Sequence, residues 1–460
     1  MFLLRRRRLI FWLIRAYFKK LKKTIFASFI FGLLVFFAVY FGWGIIVPGL
    51  PFNQHVVVGM VGSYTTDTLP SDILYKISQG LTYVSPDGTA KPDLASSWNI
   101  ENNGKTYVFH LKHNVYFTDG EQLTASLVDY NFLDVSVTRP DKYTIVFKLK
   151  EGYAPFLVTV SEPIFKNGFV GVGQYKVVSV DINGSFVNSI ELESVKDKNK
   201  TVTYQFYPTQ EALKDAFVVG DVDVAFGLND INFANTSFSS FINATVVKNV
   251  DYSHLVTIFY NTQDKMLSDR RVREALSYSV PNSFIYGKRN YDPLSPLSWA
   301  YQPQQITYQE DYAHAKLLLS QSANASGSAK INITLDTLPQ YEQIAQIIAD
   351  SWKNINVNTK IVVVDSLPPS YQAFLGDFNL PQDPDQYTLW HSGQQNNITN
   401  YKNLRIDKLL EDARQTVNMQ TRINDYQDFQ KYLLDDAPAT FLYLPYSYTV
   451  TRKSVANIQL

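Results

Sequence analysis

The apolar positions of this chain follow two periods, and their succession predicts an α/β protein. After the turn signal Asn103-Gly104, Tyr107, Phe109 and Leu111 occupy alternate positions and therefore share one face of a predicted strand. A helical period appears later, where apolar residues recur three or four positions apart at Ile344, Ile347, Ile348 and Trp352.

Two segments combine these periods into strand–helix–strand units. The first has strands at 201–207 and 223–226 around a helix at 210–219, and the second has strands at 331–335 and 359–364 around a helix at 341–355. Each unit predicts parallel strands joined by a right-handed crossover. Further helices are predicted at 73–81, 269–279, 311–320, 404–417 and 420–434, and a last strand at 441–451.

The N-terminal region has the charge pattern of a membrane anchor. Nine basic residues and no acid lie within 5–23, and 24–47 then contain no charged side chain. A helix of that length extends about 36 Å, enough to cross a bilayer. The positive-inside rule predicts a cytoplasmic segment at 1–23, a transmembrane helix at 24–47, a tether at 48–55 and an extracytoplasmic remainder, as in a single-pass protein of the cell membrane. A cleaved signal peptide is the alternative, although its apolar region would be shorter and no small-residue cleavage site is evident.

Composition narrows the function classes. The chain has 460 residues, enough for two or three domains, and no cysteine, which excludes disulfides, thiolate catalysis and Cys-ligated zinc. The formal net charge is zero, but without the nine N-terminal basic residues the chain has 33 basic and 42 acidic residues, a net charge of −9. An acidic outer part disfavours nucleic acid and is compatible with cationic or amine-bearing ligands.

Residues 83–127 carry the most informative pattern, YVSPDGTAKPDLASSWNIENNGKTYVFHLKHNVYFTDGEQLTASL. Pro86-Asp87-Gly88 predicts a turn, Asp119-Gly120 ends a strand, and Thr124 can cap a short helix. The order of these pieces resembles the extracytoplasmic peptide-binding proteins of ABC importers, the oligopeptide/dipeptide/nickel solute-binding family (family 5). Similar matches at 220–225, 257–279 and 291–303 extend the resemblance over nearly all of residues 56–460.

The resemblance implies a two-lobed α/β fold of the periplasmic-binding-protein type (type II, peptide-binding class). The first lobe would comprise 56–256 plus 441–460, and the second 257–440. The implied protein is a compact, membrane-anchored monomer without cofactor or catalysis, which captures a peptide or similar small solute for an ABC permease. One alternative keeps the fold for a membrane-anchored sensor or docking protein with a reduced or lost transport role. A membrane-tethered hydrolase is the third, but no HExxH, GxSxG, P-loop or GxGxxG context occurs.

Candidate ligand contacts come from residues 376–394, GDFNLPQDPDQYTLWHSGQ. This segment resembles a family motif, which implies ligand contacts for Asp383, Asp385, Tyr387, Trp390 and His391. In peptide-binding relatives an aspartate pairs with the free amine of the ligand, and Asp383 and Asp385 are the candidates for that role here. The alternative is an Asp-Pro turn whose carboxylates cap local amides.

Two departures from the family pattern fall near the implied cleft. The segment between Phe378 and Asp383 is several residues short and lacks both a Gly-Trp strand and the acid that often precedes this motif. A second shortening lies between Tyr130 and Val137. Together they are compatible with a smaller cleft, a different ligand or a scaffold that no longer transports.

Other candidates lie near the implied hinge. Tyr260, Asn261, Trp299 and Tyr301 would line the cleft or pack in the core. The six histidines are scattered, and His391 is the one inside the family-like motif, where a structural hydrogen bond is a simpler role than metal ligation. The sequence predicts no metal site.

Overall fold

The computed structural model describes residues 12, 15–17, 19–24, 26–37, 54–303, 307–322 and 331–458. The chain divides into two compact units, Met1–Gln54 and His55–Leu460. The described residues between 12 and 37 are helical. Within the part of the chain that the structure describes, no helix has both the length and the hydropathy needed to cross a membrane. Parts of the predicted anchor lie outside the described residues, namely most of 1–23, residues 25 and 38–47 of the span, and 48–53 of the tether.

The larger unit contains a twelve-stranded mixed sheet and a separate four-stranded sheet. The strands, in chain order, are β1 (Gln54–Val61), β2 (Thr82–Val84), β3 (Ala90–Pro92), β4 (Ala95–Glu101), β5 (Thr106–Leu111), β6 (Val135–Asp141), β7 (Thr144–Leu149), β8 (Tyr175–Asn183), β9 (Phe186–Ser194), β10 (Lys200–Tyr207), β11 (Val224–Leu228), β12 (Asn232–Phe233), β13 (Thr236–Ser237), β14 (Ala244–Val250), β15 (His254–Tyr260), β16 (Gly287–Arg289), β17 (Ile331–Thr337), β18 (Val357–Val363), β19 (Ala373–Asn379) and β20 (Ala439–Arg452).

The helices of this unit are α1 (Ser71–Ile77), α2 (Phe156–Thr159), α3 (Gln210–Val219), α4 (Arg270–Tyr278), α5 (Tyr312–Gln321), α6 (Glu342–Lys353), α7 (Tyr387–Trp390), α8 (Leu404–Gln415) and α9 (Met419–Asp436), with 3₁₀ turns at Ala125–Leu127, Phe238–Ser240 and Pro339–Tyr341. Seven of these helices begin within two residues of a predicted start, and two short helices, α2 and α7, were not predicted. Side-chain caps fix several starts: the Thr209 hydroxyl accepts from the Ala212 amide before α3, and the Asp269 carboxylate accepts from the Arg271 amide before α4.

Strand β20 passes through both halves of the large sheet, whose order is β18-β17-β19-β15-β20-β11-β1-β10-β9-β8. Its first half pairs with β15 and β16, and its second half pairs with β14 and β11. We call the part of the chain from β1 to β14 the first lobe and the part from β15 to α9 the second lobe. Besides β20, the short connection from β14 to β15 at 251–253 joins the two lobes. The lobe boundaries given above stay a prediction.

The four-stranded sheet, β4-β5-β7-β6, encloses an aromatic core. Tyr107 and Phe109 are fully buried, and they contact Phe147 and Phe156 from β7 and α2. The predicted hairpin is confirmed, because β4 and β5 pair antiparallel across a turn in which Asn103 and Gly104 both have positive φ. The alternation in the sequence therefore identified the buried face correctly.

Three sequence-based expectations about elements have clear outcomes. The predicted parallel pairing of the second strand–helix–strand unit is confirmed by β17 and β18, whereas in the first unit β1 lies between β10 and β11. The helix expected at 73–81 ends at Ile77, because the backbone of Ser78 is extended, and Gly80 beyond it lies against the backbone of Ser161 without room for a side chain. Thr124 precedes only a 3₁₀ turn and does not cap it; its hydroxyl contacts that of Ser126 instead.

Candidate functional site

A polar cavity of about 260 Å³ lies where the two connections pass between the lobes. We call it the hinge cavity. Asn229 and Asp251 reach it from the first-lobe side, and β15, β19 and the turn before α6 supply residues from the second lobe. Its lining is rich in two kinds of side chain, carboxylates and phenols: Asp251, Asp377, Tyr286, Tyr341, Tyr443 and Tyr446.

Asp251 and His254 form a hydrogen-bonded pair at the edge of this cavity. In the turn between β14 and β15, the Asp251 carboxylate accepts a hydrogen bond from the Ser253 amide and lies 2.8 Å from Nδ1 of His254. The hydrogen bond to Asp251 raises the pKa of His254 despite its burial. Burial alone would raise the pKa of Asp251, but the contacts with His254 and Ser253 outweigh it and lower that pKa.

Asp377 is the second carboxylate, and it has no basic partner among the ion pairs of the described residues. It sits on β19 opposite Val256 of β15, at the end of the strand that reaches the cavity. Burial first, and then the charge and hydrogen bond of Asp377, raise the pKa of Tyr341. Burial and two neighbours, Tyr286 and Asp377, raise the pKa of Tyr443. Both phenols are therefore neutral hydrogen-bond donors near a carboxylate.

A second, smaller cavity of about 170 Å³ lies between the β2–β3 turn of the first lobe and the α8–α9 region of the second. Trp299, Asp383 and Arg422 line its second-lobe side. The lobes touch here directly, because the Trp299 amide donates to the Asp87 carbonyl at 2.8 Å. Gly88 has a φ of 86°, and a side chain there would collide with the Gln382 carbonyl. We call this region the lobe contact.

Asp383 is buried in the lobe contact and is already paired with a cationic side chain. Its Oδ1 lies 2.7 Å from the guanidinium of Arg422, and both side chains are less than a tenth exposed. The same oxygen accepts from the Asp385 amide at 3.2 Å. Arg422 in turn lies over the Trp299 ring, 5.0 Å from its centroid. This geometry corresponds to the structural alternative for the Asp-Pro segment, and a ligand contact of Asp383 stays a prediction.

Asp385 has a similar arrangement with a different arginine. Its Oδ2 lies 3.0 Å from Nε of Arg414, and its Oδ1 accepts from the Tyr387 amide at 3.1 Å. Burial raises the pKa of Asp385, although Arg414 opposes that shift. The carbonyl of Arg414 also accepts from the Ala154 amide, so this pair stands beside another direct contact between the lobes.

The aromatic candidates of the same segment pack inside the second lobe. Trp390 is fully buried and donates from its indole nitrogen to Gln386. His391 stacks on Tyr387 with ring centroids 4.3 Å apart, and its Nε2 lies 3.2 Å from Glu411. These contacts give each ring a structural partner.

Of the four candidates near the implied hinge, Trp299 is the one that lines either cavity described above. Tyr260 is fully buried, and its hydroxyl lies 2.6 Å from that of Thr440. Asn261 donates to the Tyr371 carbonyl and accepts from the Gln263 amide. Tyr301 contacts Asp292 at 3.3 Å, and burial raises the pKa of that aspartate to about 6.

The residues of the hinge cavity were absent from the sequence-based candidates. Asp377 lies inside the family-like segment 376–394, where no strand was predicted, and Tyr443 and Tyr446 lie in the predicted last strand, whose partners the sequence does not specify. Asp251 and His254 belong to a connection whose position depends on strand order, which local patterns do not encode. Throughout the described ranges, no group of three or more His, Asp or Glu side chains is arranged to hold a metal ion.

Comparison with known proteins assigns the family. The sequence matches the family described as "Bacterial extracellular solute-binding proteins, family 5 Middle" over residues 89–135 and 129–400. The chain belongs to this family. It is 26% identical to the oligopeptide-binding protein AppA of Bacillus subtilis (strain 168), over 85% of this chain and 86% of the relative. It is 23% identical to the probable D,D-dipeptide-binding periplasmic protein DdpA of Escherichia coli (strain K12), over 82% and 85%.

Solved structures of family-like proteins share the two-lobed fold. NikZ from Campylobacter jejuni, in complex with Ni(L-His), aligns with a TM-score of 0.70 at 21% identity, covering 88% of this chain and 95% of NikZ. AppA from Bacillus subtilis, in complex with a nonapeptide, aligns with a TM-score of 0.66 at 22% identity, covering 89% and 99%. The predicted two-lobed α/β fold is thereby confirmed for this family 5 protein.

Proposed function

We propose that this chain is the extracytoplasmic substrate-binding component of an ABC importer. In this proposal it works as a monomer that captures a small solute between its lobes and delivers it to a permease. The hinge cavity is the observation that carries the proposal, because it combines carboxylates and phenols at the junction of two lobes in a member of a solute-binding family.

Capture would operate by lobe closure without making or breaking a bond. A solute in the hinge cavity contacts Asn229 and Asp251 on one side and Tyr341 and Asp377 on the other. Such a solute binds the closed arrangement more tightly than an open one, because only the closed arrangement presents both sets of groups. Binding then shifts the population toward closure by that difference in affinity.

The names of relatives support peptides as one ligand class, and the cavity favours a small ligand. AppA is named for oligopeptides, and DdpA for D,D-dipeptides. Here, however, the hinge cavity has a volume of about 260 Å³, and the lobe contact is closed by backbone hydrogen bonds between the lobes. We therefore propose a solute of roughly amino-acid to dipeptide size.

The N-terminal charge pattern supports a membrane location. We propose that residues 24–47 cross the cell membrane once, with 1–23 in the cytoplasm and the lobes outside. Since the chain has no cysteine, a single Asn183→Cys variant at the exposed β8–β9 turn gives a clean probe. Labelling of intact cells by a membrane-impermeant maleimide is the expected result, and labelling only after lysis would contradict the proposed topology.

One observation favours a second candidate, a sensor or docking protein on the same fold. In the lobe contact, two backbone hydrogen bonds join the lobes directly, from the Trp299 amide to the Asp87 carbonyl and from the Ala154 amide to the Arg414 carbonyl. A protein that stays closed in this way would not need a transported ligand.

Native mass spectrometry of the full-length chain in detergent separates the two functions. A discrete small mass that travels with the protein and is lost on denaturation is expected for solute capture. Small-angle scattering with and without a mixture of amines, amino acids and dipeptides provides the second measurement. A solute-free mass together with unchanged scattering would reject solute capture and favour the sensor or docking protein.

A further inference from the structure

We propose that the hinge cavity selects a small organic ammonium ion that carries no carboxylate. This inference rests on the proposed function and names its ligand class. It concerns simple amines and diamines, as opposed to the zwitterionic amino acids and peptides that carry an acid group as well as an amine.

The charges around the cavity provide the first argument. Asp251 and Asp377 both face it, and neither a lysine nor an arginine occurs among the described residues that line it. His254 is the one lining side chain that can carry a positive charge, and its Nδ1 is already committed to Asp251 at 2.8 Å. A ligand ammonium would meet Asp377 directly, whereas a ligand carboxylate would enter between two negative groups, and no lysine or arginine of the lining could receive it. Desolvating an unpaired carboxylate opposes binding strongly.

The aromatic lining provides the second argument. Tyr286, Tyr341, Tyr443 and Tyr446 present four phenol rings to the cavity. The π-face of such a ring attracts an ammonium group within about 6 Å of its centroid. The protein contains its own example, because Nζ of Lys248 lies 3.4 Å from the centroid of the Tyr446 ring. The ring of Tyr446 thus already binds one primary ammonium group, that of Lys248, which does not itself line the cavity.

The size of the cavity provides the third argument. Its volume of about 260 Å³ lies below the range of roughly 300–1,000 Å³ that pockets for drug-sized ligands occupy. A short alkyl amine fits this volume with its chain against Ile344 and Pro445, which are the apolar members of the lining. An extended peptide would have to leave most of its length outside.

The test is calorimetric titration of the full-length chain with 1,4-diaminobutane and, separately, with the dipeptide Ala-Ala. We expect the diamine to bind at least about tenfold more tightly than the dipeptide, because only the dipeptide brings a carboxylate. Asp377→Asn should weaken diamine binding by about tenfold or more. Asp365→Asn, which removes an exposed aspartate outside the cavity, should leave it unchanged.

A second pair of variants tests the proposal independently, in case Asp377→Asn does not fold. Tyr446→Phe keeps the ring and should retain diamine affinity within about threefold, whereas Tyr446→Leu should lose about fivefold. Equal or tighter binding of Ala-Ala that depends on Asp377 would overturn the ligand class and leave solute capture intact. Binding of neither probe would overturn the ligand class, and solute capture would then be judged separately from the copurifying mass and the scattering.

Discussion

The hinge cavity and the lobe contact both place aspartates between the two lobes, yet they surround them differently. In the lobe contact Asp383 faces Arg422 at 2.7 Å and Asp385 faces Arg414 at 3.0 Å. In the hinge cavity Asp251 has only a titratable histidine, and Asp377 lies among phenols. The carboxylates of the lobe contact are therefore paired with arginines, whereas those of the hinge cavity lie mainly among neutral hydrogen-bond donors.

This difference shows that a buried carboxylate does not by itself identify a ligand site. A carboxylate with a fixed arginine is already compensated, so a ligand amine would have to displace that arginine. A carboxylate surrounded by neutral donors gains more from an incoming cation, because no internal cation competes for it. On this basis Asp377 is better prepared than Asp383 to receive an ammonium group.

Of the changes considered, replacing Arg422 in the lobe contact should have the largest effect, a loss of folding stability. Arg422→Met leaves Asp383 buried without a cation, and it also removes the hydrogen bond from Arg422 to the Ala413 carbonyl. We expect the free energy of unfolding, measured by urea denaturation, to fall by about 3–5 kcal/mol. The matched control is Lys408→Met, which breaks an exposed pair with Asp412 and should leave the free energy of unfolding essentially unchanged.

A double variant tests whether the unpaired charge of Asp383 causes the loss of stability. If the loss comes from the unpaired charge, then replacing Asp383 by Leu in the Arg422→Met background should recover part of the stability. Equal stability losses for Arg422→Met and Lys408→Met would show that the buried pair is not different from a surface pair, and the comparison would fail.

Neutralising Asp383 alone tests its role in ligand binding. Asp383→Asn should lower the free energy of unfolding by about 2–4 kcal/mol, because Arg422 loses its counter-charge. The affinity for 1,4-diaminobutane, measured by calorimetry, should stay within about twofold of the unmodified protein, since Asp383 lines the other cavity. A large loss of affinity in a variant that still folds would instead support the sequence-based assignment of Asp383 as an amine contact.

Local patterns in the sequence account for most of the fold. The alternation around Tyr107 and Phe109 predicted a buried strand face, and both side chains are buried. Of the residues predicted on the buried side of α6, Ile344, Ile348 and Trp352 are buried, whereas Ile347 is exposed. The predictions for the buried residues succeed because hydrophobic periodicity is a local consequence of burial on one side of an element. The resemblance to the family supplied the two-lobed arrangement, which no single period contains.

The candidate site was less accessible to such patterns. Sequence analysis proposed Asp383 and Asp385 from a motif, but the partners Arg414 and Arg422 lie on α8 and α9, some 30 to 40 positions away. The hinge cavity joins Asp251, Asp377 and Tyr446 from three separate strands or turns. Only the strand order of the large sheet brings these residues together, so neither composition nor spacing could identify them.

Removing the lysine that lies over Tyr446 should have a smaller effect, namely an increase in affinity for the ligand. Lys248 lies over Tyr446 without lining the hinge cavity, so in the proposed site its charge opposes an incoming cation at the same ring. Lys248→Met removes the competing charge, so we expect the affinity for 1,4-diaminobutane to rise about two- to fivefold. Lys288→Met provides a control at a neighbouring lysine, which lies over Tyr252 outside the cavity lining. Unchanged or weaker binding by Lys248→Met would mean that the Tyr446 ring does not contribute to cation recognition.

The smallest expected effect concerns the pH dependence of the Asp251–His254 pair. The hydrogen bond to Asp251 raises the pKa of His254, burial opposes this, and the charges of Asp251 and the more distant Asp377 add to the increase. Because the pKa is higher in the folded state, the pair stabilises the fold fully below the unfolded histidine value of about 6.5, and this contribution disappears as pH rises through the folded value. On the acid side it is lost as Asp251, whose pKa is lowered, becomes protonated.

His254→Asn keeps a neutral donor near the position of Nδ1 and removes the titratable charge. Since 41% of the His254 side chain is exposed, solvent screening should limit the stability difference to less than about 1 kcal/mol. Urea denaturation should detect this difference near about pH 5.5 and find it nearly absent near about pH 9. Asp251→Asn should remove the same pH dependence. A difference that grows with pH would show that neutral His254 is the stabilising form, and the hinge cavity would then contain no protonated partner for Asp251.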